Sequence, residues 1–335
     1  MVRRFAAAVI LTAVLFLSAC GGASSVPTRP SSGTMSAVAH AYVDEFLGIM
    51  QIHSVNRYKI EWALFRSMVY QSAGGAQTVR DVVAGAAIST ALAQLGDHHS
   101  QYIAADGTYI HNPVPVTSCF DRKPEPVSVP DGIGYVKVGA FSGQADAALQ
   151  FALSIQNQVM SADNDRIAGW IVDTRGNSGG NMWPMIAGVG PVLGEGLAGA
   201  FIDPDGNVTR WGYTQGAAWS DNESSAIVAI PAPYRLLRPN PRVAVLADCG
   251  VASSGEAVVL AFRARPNTRS FGTPTLGVST SNERYPLSDG ATLILTNSLM
   301  ADRNLAPYGS VITPDEVISD PAQTVNRAVA WLRGQ

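Results

Sequence analysis

Lysine is nearly missing from this chain: of 335 residues only Lys59, Lys123 and Lys137 carry it, and none follows position 137. Charge of either sign is sparse, at 15%, and 23 basic side chains against 26 acidic ones leave a formal net charge of −3. There is no electrostatic footprint for gripping a phosphate backbone, which excludes nucleic acid as a partner. A 47% hydrophobic content excludes a disordered polyelectrolyte and gives a globular chain long enough for one large domain or two ordinary ones. Cysteine is also scarce, with three residues, and the five histidines form no Cys/His cluster of metal-ligand spacing. No metal and no cofactor is implied.

The longest apolar run, Phe5 to Leu17, is too short to span a bilayer as a mature helix. It follows the basic start Met1-Val2-Arg3-Arg4 and ends in Leu17-Ser18-Ala19-Cys20-Gly21-Gly22, a pattern that resembles a bacterial lipoprotein signal. Residues 1–19 then read as signal peptide, with Cys20 as the lipidated N-terminus anchored to the outer face of the cytoplasmic membrane. The Gly/Ser/Pro-rich residues 20–34 read as a tether. Export leaves Cys119 and Cys249 in an oxidising compartment where they can pair, although spacing alone does not place their Cα atoms within disulfide reach.

Residues 35–104 carry a helical pattern. Apolar side chains recur at three and four spacings through Ala39, Tyr42, Val43, Phe46, Leu47 and Met50, and again through Ile60 to Val69. A third stretch, Val79 to Leu95, is predicted to stop at Gly96. Residues 105–131, with prolines at 113, 115, 124, 126 and 130, read as a connector. From 132 to 335 the texture alternates. Strands are predicted at 134–138, 169–173, 242–246, 270–272 and 291–296, and helices at 145–159, 182–193, 253–263 and 321–332. That pattern indicates an α/β core.

Three segments concentrate chemistry. Asp248-Cys249-Gly250-Val251-Ala252-Ser253-Ser254-Gly255-Glu256 follows a strand, and small residues there allow a sharp turn that exposes a hydroxyl at a helix start. Ser253 is a candidate nucleophile; equally, Ser253 with Glu256 three residues on fits a helix-capping box. Asp173-Thr174-Arg175-Gly176-Asn177-Ser178-Gly179-Gly180 also follows a strand. Its paired glycines allow backbone N–H groups to converge on an oxyanion, or simply allow a turn with positive φ. Leu95-Gly96-Asp97-His98-His99-Ser100 offers a histidine, the usual base for a serine, or a solvated helix end.

In this order the three segments resemble the carboxy-terminal processing (tail-specific) proteases, the S41 peptidases. Further matches are Ile133-Gly134-Tyr135-Val136-Lys137-Val138, Gly272 to Gly277, Pro286 to Gly290 and Ile312 to Asp315. The resemblance implies an α/β crotonase/ClpP-like catalytic core preceded by a small N-terminal helical region. It also implies a serine-type peptidase acting on peptides or unfolded protein, with Ser253 as nucleophile and the amides of Ser254 and Gly180, or Gly179, as oxyanion hole. Many members place a lysine base where this chain has Val278, so the base implied is that of the tricorn-like Ser-His branch, His99. Asp302 is the favoured acid partner of His99, with Glu316 and Glu256 as alternatives. Only 32 residues separate Ser100 from Ile133, too few for the PDZ domain that relatives carry there. Ester hydrolysis by the same residues, or a non-catalytic peptide- or lipid-binding protein on the same fold, are the competing readings.

Overall fold

The computed structural model describes residues 33–112, 127–224 and 226–335. The signal segment, Cys20 and most of the tether lie outside the described residues, as do Lys123 and Cys119. Cys249 is disulfide-bonded.

The chain begins with four helices, α1 (Ala37–His53), α2 (Trp62–Ala73), α3 (Val79–Ala84) and α4 (Ala87–Leu95). The apolar stripe expected for α1 is its buried face, because side chains three and four apart share one side of a helix. Ser36 caps α1, its hydroxyl accepting from the Ala39 amide at 3.1 Å. The single helix expected over 79–95 is two, interrupted at Gly85-Ala86, where the Gly85 amide closes α3 on the Asp81 carbonyl. Short strands β1 (Gln101–Ile103) and β2 (Tyr109–His111) follow, so the residues expected to be plain connector begin with a hairpin strand.

The remaining elements are β3 (Ile133–Lys137), α5 (Ala145–Ala162), β4 (Gly169–Asp173), α6 (Met182–Leu193), β5 (Gly196–Ile202), β6 (Val208–Thr214), β7 (Ala217–Ser220), β8 (Val228–Ala229), β9 (Val243–Ala247), α7 (Ser254–Phe262), β10 (Thr268–Gly272), β11 (Thr280–Pro286), β12 (Thr292–Asp302), β13 (Glu316–Val317) and α8 (Pro321–Leu332). One sheet has the order β13-β10-β9-β4-β3, and its pairings are all parallel. Its central strands β4 and β9 are buried throughout, as strands covered on both faces must be. Side chains alternate between two cores. Val136, Trp170, Val172, Val243 and Val245 face α5, α6 and α7, whereas Ile171, Ala244, Leu246 and Phe271 face α8.

The second sheet is antiparallel, in the order β2-β1-β12-β5-β6-β7-β8, with β11 also paired to β12. Strand β12 is eleven residues long and is shared by two cores. Leu293 and Leu295 pack with the N-terminal helices, and Met300 packs with the α5–α7 layer. The helical region is therefore fixed against the sheet that carries β11 and β12. Trp170, 1% exposed, is the bulkiest side chain on the helix-covered face of the parallel sheet. Replacing it with alanine is expected to cost about 3–5 kcal/mol of folding stability, read by urea unfolding; a loss below about 1 kcal/mol would contradict its place in the core.

Candidate active site

Strands β4 and β9 are hydrogen-bonded neighbours in the parallel sheet, so the segments leaving their carboxyl ends emerge side by side. Open α/β sheets build their sites there. The segment after β4 contains the glycine pair and the segment after β9 contains Ser253. The two are stitched together by one backbone and one side-chain hydrogen bond. Ala252 N–H donates to Asn177 O at 2.9 Å, and Ser254 Oγ donates to Gly180 O at 2.6 Å. A buried ion pair anchors the first turn. The Arg175 guanidinium grips both oxygens of Asp173 at 2.9 and 2.8 Å, and Lys137 Nζ lies 3.3 Å from Oδ1. Asp173 is held below the usual carboxylate range despite burial, because these two cations and the Tyr135 hydroxyl surround it.

The two glycines have different roles. Gly179 is buried at φ +102°, and a Cβ there would lie 2.9 Å from Ser253 Cβ. Its amide already donates to Asn177 Oδ1 at 3.0 Å, which removes it as an oxyanion donor. Gly180, at φ +113°, is exposed to the cleft. Phe141 N–H donates to Gly179 O at 3.1 Å, which fixes the 179–180 peptide plane. Among the described residues the amides of Gly180 and Ser254 donate to no protein acceptor, and both residues line one cleft of about 1010 Å³.

Ser253 opens α7 at φ +50° and ψ −118°, a conformation that side chains other than glycine adopt only under constraint. The constraint is Glu256. Glu256 supplies the carboxylate half of the capping box expected from the sequence, with Oε2 accepting from the Ser253 amide at 2.9 Å and from the Val278 amide at 3.0 Å. Oε1 accepts from the Thr275 hydroxyl at 2.6 Å and the Gly277 amide at 3.0 Å. Glu256 is 0% exposed, and burial pushes its carboxyl up to about 7 against these four donors. It ties the Ser253 turn to the 275–278 loop and makes no contact with a histidine.

His99 comes from the other sheet. Gly96, in the left-handed conformation, ends α4. Asp97 Oδ1 then accepts from the amides of His99 (2.9 Å) and Ser100 (2.7 Å), and Oδ2 accepts from Ser100 Oγ. Strand β1 follows and pairs with β12. The imidazole lines the same cleft as Ser253, is 9% exposed, and places Nδ1 2.7 Å from Thr280 Oγ1 on β11. No hydrogen bond joins it to Ser253 among the described residues, an open geometry common at sites without substrate. Burial lowers the ring to about 4, with Asp97 partly opposing.

The expected acid partner is elsewhere. Asp302 Oδ1 accepts from the amides of Asn304 and Ala306 at 2.8 and 3.1 Å, closing the turn after β12, and Thr280 stands at His99 instead. Glu316 pairs with Arg327. Among the described residues no lysine is at the site either. Lys137 is bound to Asp173 and to Arg175 O, Lys59 to Asn56, and neither lines the cleft; Val278 does.

Residues 132–318, more than half of the chain, match the model of peptidase family S41. The protein belongs to peptidase family S41. A nisin-resistance protein from Lactococcus lactis subsp. lactis is 28% identical over 195 residues, which are 58% of this chain and 58% of that protein. The match thus spans less than two thirds of that relative. Among solved structures, a lipoprotein from Streptococcus agalactiae superposes with a TM-score of 0.67 at 23% identity, over 90% of this chain and 98% of that one. The photosystem II D1 C-terminal processing protease superposes with a TM-score of 0.53 at 13% identity, over 87% of this chain and 97% of that one. These structures share the fold, a mixed α/β S41 core with an N-terminal helical region.

The His99 burial has a consequence for stability. Its folded value of about 4 lies below its ordinary 6.5, so as pH falls the unfolded chain takes up this proton first. The His99 contribution is intact above about pH 6.5 and is lost as pH drops toward 4, on the order of 3 kcal/mol across the window. Thermal denaturation of His99→Gln beside the wild type, from pH 7 to pH 4, should show the variant losing less stability; parallel losses would contradict the buried neutral ring.

Proposed function

We propose that this S41 protein is an active serine-type peptidase in which Ser253 is the nucleophile, His99 the general base, and the amides of Gly180 and Ser254 the oxyanion hole. The observation that carries this reading is that one cleft is lined by Ser253, His99, Gly180 and Ser254, and that among the described residues the amides of these last two donate to no other group. Ser253 Oγ attacks the peptide carbonyl carbon as its proton passes to His99 Nε2. The carbonyl oxygen takes the negative charge and receives the two amide hydrogen bonds. Collapse of the tetrahedral intermediate breaks the C–N bond, and His99 returns the proton to the leaving amine. Water, deprotonated by the same ring, then releases the acyl group from Ser253. The polar cleft wall, including Gln101, Asn181 and Asn282, suits an extended peptide backbone.

The lipoprotein-like signal supports a cell-envelope location for this activity, with Cys20 as the anchor. A relative named for nisin resistance and a structural neighbour described as a lipoprotein support that placement. Among the described residues no helix is long and apolar enough to cross a membrane. Nisin is accordingly the first peptide to assay, beside unfolded protein.

A fluorophosphonate probe is expected to label the wild type on Ser253 and to leave Ser253→Ala unlabelled. His99→Gln should slow labelling and peptide cleavage by about 10²–10⁴-fold. Labelling that persists in Ser253→Ala would overturn the nucleophile. With the ring held near 4, His99 should add no acid limb to kcat/KM above about pH 5; a limb near 7 belongs to Glu256 and should vanish in Glu256→Gln, whereas a limb at 6.5 that survives in Glu256→Gln would mean that His99 titrates as a solvated imidazole.

A further inference from the structure

We propose that Thr280 sets the tautomer of His99: its Oγ1 accepts a hydrogen bond from Nδ1–H, which leaves the lone pair of the base on Nε2. The proposal rests on the reading of Ser253 and His99 as nucleophile and base.

A neutral imidazole carries one proton on one of two nitrogens, and only the form with an unprotonated Nε2 can take a proton from a serine in the cleft. In Ser-His sites a buried carboxylate usually makes that choice. Among the described residues no carboxylate is hydrogen-bonded to the ring. Both oxygens of Asp97 are engaged by the His99 and Ser100 amides and the Ser100 hydroxyl. Asp302 closes its own turn, and Glu256 holds four donors of the Ser253 turn and the 275–278 loop. The group on Nδ1 is the Thr280 hydroxyl at 2.7 Å, between residues 9% and 4% exposed. Nε2 has no partner among the described residues.

Thr280 is well placed to impose a geometry. It begins β11, its amide donates to Val278 O at 2.8 Å, and its Cα is paired with Leu299 of β12. The same strand grips the His99 backbone, because Asn282 Nδ2 donates to His99 O at 3.2 Å. Ring and main chain of His99 are both docked on one rigid strand. A hydroxyl differs from a carboxylate in one respect that matters: it orients the ring without a charge to favour the imidazolium. The ring therefore stays neutral at rest, and the cation formed during attack is stabilised by the oxyanion beside it and by the nearby Asp97 charge. Thr280 is a positioning residue.

The test uses long-range nitrogen–proton correlation spectra of the wild-type protein at neutral pH, with His99 assigned by its absence in His99→Gln. The expected result is a single tautomer with the proton on Nδ1; a proton on Nε2 overturns the proposal with no variant needed. Thr280→Val should give a mixture of tautomers and slow fluorophosphonate labelling on the order of 10²-fold, with melting checked beside it, and Thr280→Ser should restore both. Unchanged labelling and an unchanged single tautomer in Thr280→Val also overturn it. Ser253→Ala run in parallel separates the two claims. If it labels like the wild type the nucleophile reading fails, and the wild-type tautomer still decides the role of Thr280.

Discussion

The turn leaving β4 and the turn leaving β9 touch backbone to backbone, and the geometry of the site follows from that contact. Gly179 has no Cβ to separate them; one would meet Ala252 O and Ser253 Cβ at 2.9 Å. Because the chains approach this closely, Asn177 O can accept from Ala252 N–H and Gly180 O from Ser254 Oγ. Two amides, Gly180 and Ser254, are brought to one cleft wall beside Ser253. A preorganised pair of donors needs no reorganisation when charge develops on a substrate oxygen, and here the preorganisation is a property of two adjacent parallel strands.

The contact would leave Ser253 in a costly backbone conformation were it not for Glu256. Its carboxylate reaches the Ser253 amide on one side and the 275–278 loop on the other, and all four of its hydrogen bonds lie inside the protein. The loop it secures carries Val278, where many S41 members keep a lysine. Val278 offers no base there, and the base proposed, His99, is on the α4–β1 segment, which is fixed on β11 and β12. Ser253 and His99 thus belong to different sheets, and their relation depends on the core packed between those sheets rather than on a short stretch of chain.

Much of this was legible in the residues. Small residues after an apolar strand mark sharp turns, and both such turns bear on the cleft; the Asp97-His98-His99-Ser100 segment also lies there. The helical stripe of α1 and the strands of the parallel sheet are strongly periodic, so they stand out. Strands β5 to β8 did not, because Gly196–Ile202 is rich in glycine and alanine and its partners are set by long-range pairing. Asp302 follows β12 as an acid partner for His99 would, but Asp followed two residues later by Asn304 is also a turn signal, and the turn is what forms. Thr280 gave no signal at all. It lies in a run of serine and threonine, and only the register of β11 against β12 and the docking of the α4–β1 segment bring it to the ring.

In the proposed reaction Ser253 attacks while Gly180 and Ser254 hold the oxygen that becomes negative. A crystal structure of the covalent fluorophosphonate adduct tests it directly. Phosphorus is expected to be bonded to Ser253 Oγ, with one phosphonyl oxygen within hydrogen-bonding distance of both the Gly180 and Ser254 amides. A phosphonyl oxygen turned away from those amides, or an adduct on another side chain, would contradict it.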